Sequence, residues 1–205
     1  LNEWIESITG WLLDATQLSG FGILAITLPL ALIQGTFGVF PFATIVMLHI
    51  STLGVAQGLL ASWFTGSVAG MIVYWLCKTT FTEWISKKWM YKLERYEKWQ
   101  RSLERYGVWA VIFLRTIPIM PNNLISFMAA ISKLKTASYT WSNAAGNLSS
   151  IWLFGILSAS IVFPDMDLRK LIFSYVLFLA LLLSMFVIRQ RLMKHREHHK
   201  SSVKS

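Results

Sequence analysis

A charged residue inside an apolar run marks a place where chemistry is possible, and in this chain that residue is Arg115. It lies in Gly107 to Lys135, GVWAVIFLRTIPIMPNNLISFMAAISKLK, with apolar residues on both sides. Pro118, Pro121, Asn122 and Asn123 follow at once. A charge in mid-span costs about 2.5–3.5 kcal/mol on insertion scales, so its presence asks for a role. Two prolines three apart remove two backbone donors and break a helix. The pattern predicts two short half-helices that meet at a polar turn at membrane depth. Irregular backbone is tolerated there only inside protein or along a wet cavity. A guanidinium in such a turn can hold a phosphate through two parallel hydrogen bonds. Backbone N–H groups at the half-helix start after Pro121 would help through the helix dipole. Asn122, Asn123 and Gln34 can add neutral hydrogen bonds, so these three and Arg115 are the expected binding residues. The alternative is that Arg115 caps carbonyls of a facing element and binds nothing. His49 is the other titratable group in the apolar part besides Cys77 and tyrosines. It is either a proton site or an uncharged packed imidazole.

The elements that position these residues follow from composition. Of 205 residues 55% are hydrophobic and 14% charged, the profile of a polytopic helical membrane protein. The net charge is +9, yet no Lys or Arg occurs before Lys78. Eight of the 19 lie between Lys78 and Arg105, and six between Arg189 and Lys204. The positive-inside rule therefore puts the 78–106 segment and the C-terminal tail in the cytoplasm. Because these charges flank apolar spans, they do not point to nucleic acid. One cysteine, Cys77, excludes an intrachain disulfide and reads as a plain buried thiol. The first apolar run has no basic n-region before it, which argues against a cleaved secretory signal. The tail histidines His195, His198 and His199 lack further ligands at metal spacing, so neither a metal nor a cofactor is expected.

In chain order, residues 1–17 carry their apolar side chains at helical spacing and read as an interfacial amphipathic helix. The run 21–53 is interrupted by Gly35, Gly38 and Pro41. Phe21 to Gln34 is too short to cross comfortably. The expectation is a re-entrant hairpin, in through 21–34 and out through 42–53, with one kinked span as the alternative. Residues 57–77 form a span on which Ser62, Gly66 and Gly70 lie four apart, spacing that suits close helix contact within the bundle or between protomers. The 78–106 linker, basic and aromatic, suits the inner surface among anionic lipid headgroups. A second hairpin occupies 107–135, broken at Pro118 and Pro121, and spans follow at 137–163 and 171–188. Ser142, Gly146 and Ser150 repeat the small-residue spacing, with Asn143 and Asn147 beside them. Pro41 and Pro121 are 80 apart, as are Ser62 and Ser142, and Gly66 and Gly146. Residues 18–188 are therefore read as one all-α membrane domain, followed by a basic tail at 189–205. Two facing hairpins form an inverted repeat, with about three spanning helices beside them.

GTFGVFPFATIV, SWFTGSVAG and ERYGVWAVIFLRTIPIMPNNLISFMAAISKL, followed by the Gly146 helix, together resemble the DedA/VTT superfamily, also called "SNARE-associated". The most specific part is R-x-x-P-x-x-P-x-N, met by Arg115, Pro118, Pro121 and Asn123. The resemblance covers about residues 34–160. It implies a bacterial plasma-membrane protein with two facing re-entrant hairpins, and a flippase or scramblase that moves lipids such as polyprenyl phosphates or phospholipids. The sequence departs from the family pattern where acidic residues are expected in the first hairpin. Gln34 and Ala43 stand there, and no Asp or Glu occurs from Ala15 to Thr82 or from Arg105 to Pro164. Proton coupling through carboxylates is not supported by this composition. Two other functions stay open: a small-ion or solute transporter, and a non-transporting organiser acting through the basic linker and tail. An enzyme is not expected, because no acid pair, metal cluster or activated nucleophile is present. The orientation is testable in a Cys77→Ser background: a cysteine at Thr16 should label from outside intact cells, and one at Ser202 only after permeabilisation.

Overall fold

The computed structural model describes residues 20–79, 101–117, 122–132 and 134–202, and no strand occurs among them. A 3-10 turn at Gly20–Ile23 leads into α1 (Leu24–Phe37). Then come α2 (Ala43–Leu53), α3 (Val55–Thr79), α4 (Val108–Thr116), α5 (Asn122–Ile131), α6 (Thr136–Val162) and α7 (Arg169–Ser202). Gly20–Phe37, Val55–Thr79, Thr136–Val162 and Arg169–Leu192 are long and apolar enough to cross a bilayer. The protein is all-helical and multi-pass, with shorter apolar helices between its candidate spans. The interfacial helix expected at 1–17, most of the 78–106 linker, Pro118, Pro121 and the tail histidine side chains lie outside the described residues. The chain divides into two compact units, Leu1–Met166 and Asp167–Ser205. In the second, Asp167 Oδ1 accepts the Arg169 N–H at 3.0 Å and starts α7. The site belongs to the first.

Two expectations about the first apolar run are corrected. Gly35 does not break it, and the run is not too short to cross. The helix continues through Gly35 and Thr36 to Phe37, giving 18 helical residues from Gly20. That is about 29 Å of helix, close to the thickness of a hydrocarbon core. A glycine inside a helix costs only about 1 kcal/mol. Here it also lets α3 approach, since a Cβ on Gly35 would stand 3.4 Å from Val73 Cγ2. The break falls at Gly38, whose φ of 66° is left-handed and whose N–H closes on the Gln34 carbonyl at 2.7 Å. Pro41 then sits where the next helix begins, a position that needs no N–H, and its carbonyl accepts from Thr44.

The contacts fix the chain directions. Leu59 meets Gly155, Gly66 meets Ile151, and Lys78 donates to Thr136, so α3 and α6 are antiparallel. Thr27 reaches the level of Ser62 through His49, and Gly35 reaches Val73, so α1 runs parallel to α3. Ile50 lies on Gly58 and Phe42 on Gly66, so α2 runs back along α3. In the second half Gly107 stands by Leu134 and Arg115 by Gly146. There α4 leads towards the middle of α6, and α5 starts level with the end of α1. The start of α5 meets the end of α1: Asn123 Nδ2 lies 3.5 Å from the Thr36 carbonyl and near Gly38. The packing is reciprocal, with α1 on α3 and α4 on α6, while α2 lies on α6 and α5 on α3.

The turn between α2 and α3 is very tight, with Gly54 alone between them at φ 77°. It folds the two backbones so close that a Cβ on Gly58 would stand 2.7 Å from the backbone of Ile50. Gly58→Ala should therefore destabilise the fold by about 1–3 kcal/mol, as overpacking against rigid backbone does. Thermal unfolding in detergent checks this, with Leu60→Ala, at an exposed side chain, as the control expected to change little.

Candidate functional site

Arg115 is the next-to-last residue of α4, where a cation is favoured by the helix dipole. Its side chain is 2% exposed. Two glycines make the room. A Cβ on Gly146 would stand 2.9 Å from both Cβ and Cδ of Arg115, and one on Gly70 would stand 3.3 Å from Nη2. The sequence reading takes these glycines as helix-packing residues. The structure places them around a buried charge within one chain.

The guanidinium is held by neutral groups. Nη1 donates to Asn147 Oδ1 at 2.9 Å, and Nη2 donates to Ser126 Oγ at 3.1 Å and to the Tyr139 hydroxyl at 3.0 Å. Each acceptor is itself anchored. Asn147 donates to Asn143 Oδ1, and Asn143 donates to the Ser67 carbonyl on α3. Ser126 donates to the Asn122 carbonyl, one turn earlier in α5. The Tyr139 hydroxyl lies 3.1 Å from the Gly70 carbonyl, and its ring stacks on Tyr74 with centroids 4.0 Å apart. Tyr74 in turn meets Lys78, whose Nζ also donates to Thr136. The Arg115 Nε–H has no partner among the described residues. A buried ion costs several kcal/mol even after relaxation. Three neutral acceptors offset part of that and leave the charge itself uncompensated.

Beside Arg115 is a cavity of about 20 Å³, enough for one water molecule. Gln34, Arg115 and Asn122 all line it, with Gly35, Gly66 and Gly70. Asn123 does not: it reaches the end of α1 at the Thr36 carbonyl, and its Oδ1 accepts the Leu124 N–H at 2.8 Å. Ser142 and Ser150 bond carbonyls of their own helix. Ser62 is a partner of His49, whose Nδ1 lies 2.9 Å from Ser62 Oγ and Nε2 2.8 Å from Thr27 Oγ1. That fully buried imidazole ties α1, α2 and α3 together. The sequence reading missed Ser126 and Tyr139 as partners of Arg115, and it gave Asn143 and Asn147 no role. A usable signal existed, because Tyr139, Asn143 and Asn147 lie four apart, a polar stripe on an otherwise apolar span.

The profile of the VTT domain matches residues 40–160. A Bacillus subtilis (strain 168) protein that carries the name Uncharacterized protein YqeD is 23% identical over 172 residues, covering 83% of this chain and 82% of that one. No solved structure gives a significant match. The cage around the guanidinium can be tested by stability. Asn147→Leu leaves Nη1 without its acceptor and should cost about 1.5–3 kcal/mol, the range for hydrogen bonds to charged groups. In an Arg115→Met background the same change should cost far less, and a double-mutant cycle on denaturant unfolding measures the difference.

Proposed function

We propose that this chain, which belongs to the VTT-domain family of multi-pass membrane proteins, moves a phosphate-headgroup lipid across the bilayer. The lipid class is that of polyprenyl phosphates and phospholipids, and Arg115 takes the phosphate. The supporting observation is the guanidinium itself: buried, held by neutral acceptors, and lining a cavity with its Nε–H unpartnered among the described residues. A phosphate offers that group what the protein does not, an anion and a bidentate acceptor. Gln34 and Asn122 would add neutral hydrogen bonds from opposite sides of the cavity, and Asn123 would act through the turn it braces.

A cavity of about 20 Å³ holds water but not a phosphate headgroup, so loading requires the two turns to part. Among the described residues a long contact joins their ends, 3.5 Å from Asn123 Nδ2 to the Thr36 carbonyl. In this reading α1–α2 and α4–α5 are re-entrant hairpins of an inverted repeat, their turns facing each other beside Arg115. The headgroup passes between them while the acyl chains stay in lipid. Residues 18–188 act as one membrane domain in a bacterial plasma membrane. The 78–106 linker and the basic tail lie in the cytoplasm, with the linker on anionic headgroups. Exposed Trp75 and Trp141 near the Lys78–Thr136 end fit a membrane–water interface there. His49 serves as a packed imidazole rather than a proton carrier, since both its nitrogens are taken up by hydroxyls.

The water-sized cavity favours one rival reading, a small-anion transporter with Arg115 as its binding group. Liposomes carrying the protein separate the two, with labelled lipid movement and anion flux measured side by side. Lipid movement should fall about a hundredfold in Arg115→Ala, the loss of two charge-assisted hydrogen bonds at about 1.5 kcal/mol each. Arg115→Lys should rescue it in part, because an ammonium keeps the charge but not the fork. A fully active, folded Arg115→Ala protein would refute the role given to Arg115. Anion flux without lipid movement would favour the rival.

A further inference from the structure

The cavity beside Arg115 is charged in one sense only. Its other polar lining residues, Gln34, Asn122, Ser126 and Asn147, are neutral. The sequence has no Asp or Glu from Ala15 to Thr82 or from Arg105 to Pro164, so none of α1 to α6 carries a carboxylate. Among the described residues the aromatic lining is Phe42 alone, which is no cage for a cation. The remaining walls are small, among them Gly35, Gly66 and Ala69.

A zwitterionic headgroup brings an ammonium together with its phosphate. Once the phosphate is on Arg115, that ammonium stands a few bonds from the guanidinium with neither a carboxylate nor an aromatic cage to receive it. Like charges repel more strongly in a low-dielectric interior than in water. A net-anionic headgroup brings no second cation and meets no such penalty. We propose that the cavity selects net-anionic phosphate headgroups over zwitterionic ones, and that Gln34 sets the selectivity. The proposal rests on the reading of Arg115 as the phosphate ligand. Gln34 is singled out by position. Ser126 and Asn147 are already bonded to Arg115, and Asn122 shares a helix with Ser126. Gln34 comes from α1, in the other half, and its side chain makes no hydrogen bond among the described residues. Glutamate there is nearly isosteric and would supply the missing acceptor for an ammonium.

The test uses the full chain in liposomes with four labelled lipids: polyprenyl phosphate, phosphatidylglycerol, phosphatidylethanolamine and phosphatidylcholine. The wild type should move the two anionic lipids at least about tenfold faster than the two zwitterionic ones, and Gln34→Glu should shrink that ratio by about tenfold. A ratio near one in the wild type overturns the selectivity, and this comparison needs no variant. An unchanged ratio in folded Gln34→Glu protein overturns the role of Gln34. If all four lipids move equally and still require Arg115, the selectivity fails while the reading of Arg115 stands. If none moves and inorganic phosphate is not taken up either, both fail. Arg115-dependent uptake of inorganic phosphate that competes with the anionic lipids would support the charge selectivity and assign its ligand to a free anion.

Discussion

The first unit is arranged around a guanidinium with no counter-ion among the described residues. No stretch from Arg105 to Pro164 or from Ala15 to Thr82 supplies a carboxylate. Arg115 is instead held by an amide, a serine hydroxyl and a phenol. Each of these is anchored on another helix or turn, so the charge organises groups on α3, α5 and α6 at once. Replacing a buried ion pair by hydrophobic residues is often neutral or favourable, which makes buried charge weak support for stability. A lone charge with neutral partners has still less to offer to stability. Stability alone therefore does not account for Arg115 at this position.

The glycines give this arrangement its dimensions. Gly70 and Gly146 let α3 and α6 close around the Arg115 side chain, and Gly58 and Gly155 bring backbone and side chains together further along. Small residues at helical spacing usually mean close helix approach, here as in other membrane bundles. Two of them do something more particular. They leave the volume that a long cationic side chain occupies, so packing and chemistry use the same positions.

Much of this could be read from the chain. The spans expected at 57–77 and 137–163 correspond to Val55–Thr79 and Thr136–Val162, because long apolar runs at a bilayer's length leave few alternatives. Arg115 stood out because a charge in such a run is rare. The first run was harder. Gly35 looks like a breaker, yet a glycine bends or continues a helix according to what packs on it, and Val73 is far away in sequence. The stripe of Tyr139, Asn143 and Asn147 marks a polar face, but not that Arg115 is what meets it. Ser126, Tyr139 and Asn147 lie 11, 24 and 32 residues from it. Only tertiary packing brings those separations to one point, and a serine or tyrosine in an apolar run announces no partner.

The close fit of α3 on α6 has a mechanical consequence. That pair interlocks through Gly66, Gly70 and Gly155, whereas Asn123 at the start of α5 reaches the Thr36 carbonyl at the end of α1 over 3.5 Å. α3 and α6 form the closely packed pair against which α1, α2, α4 and α5 lie. Local opening is easiest where few buried contacts must be broken, so this closely packed pair would be among the last parts of the unit to come apart.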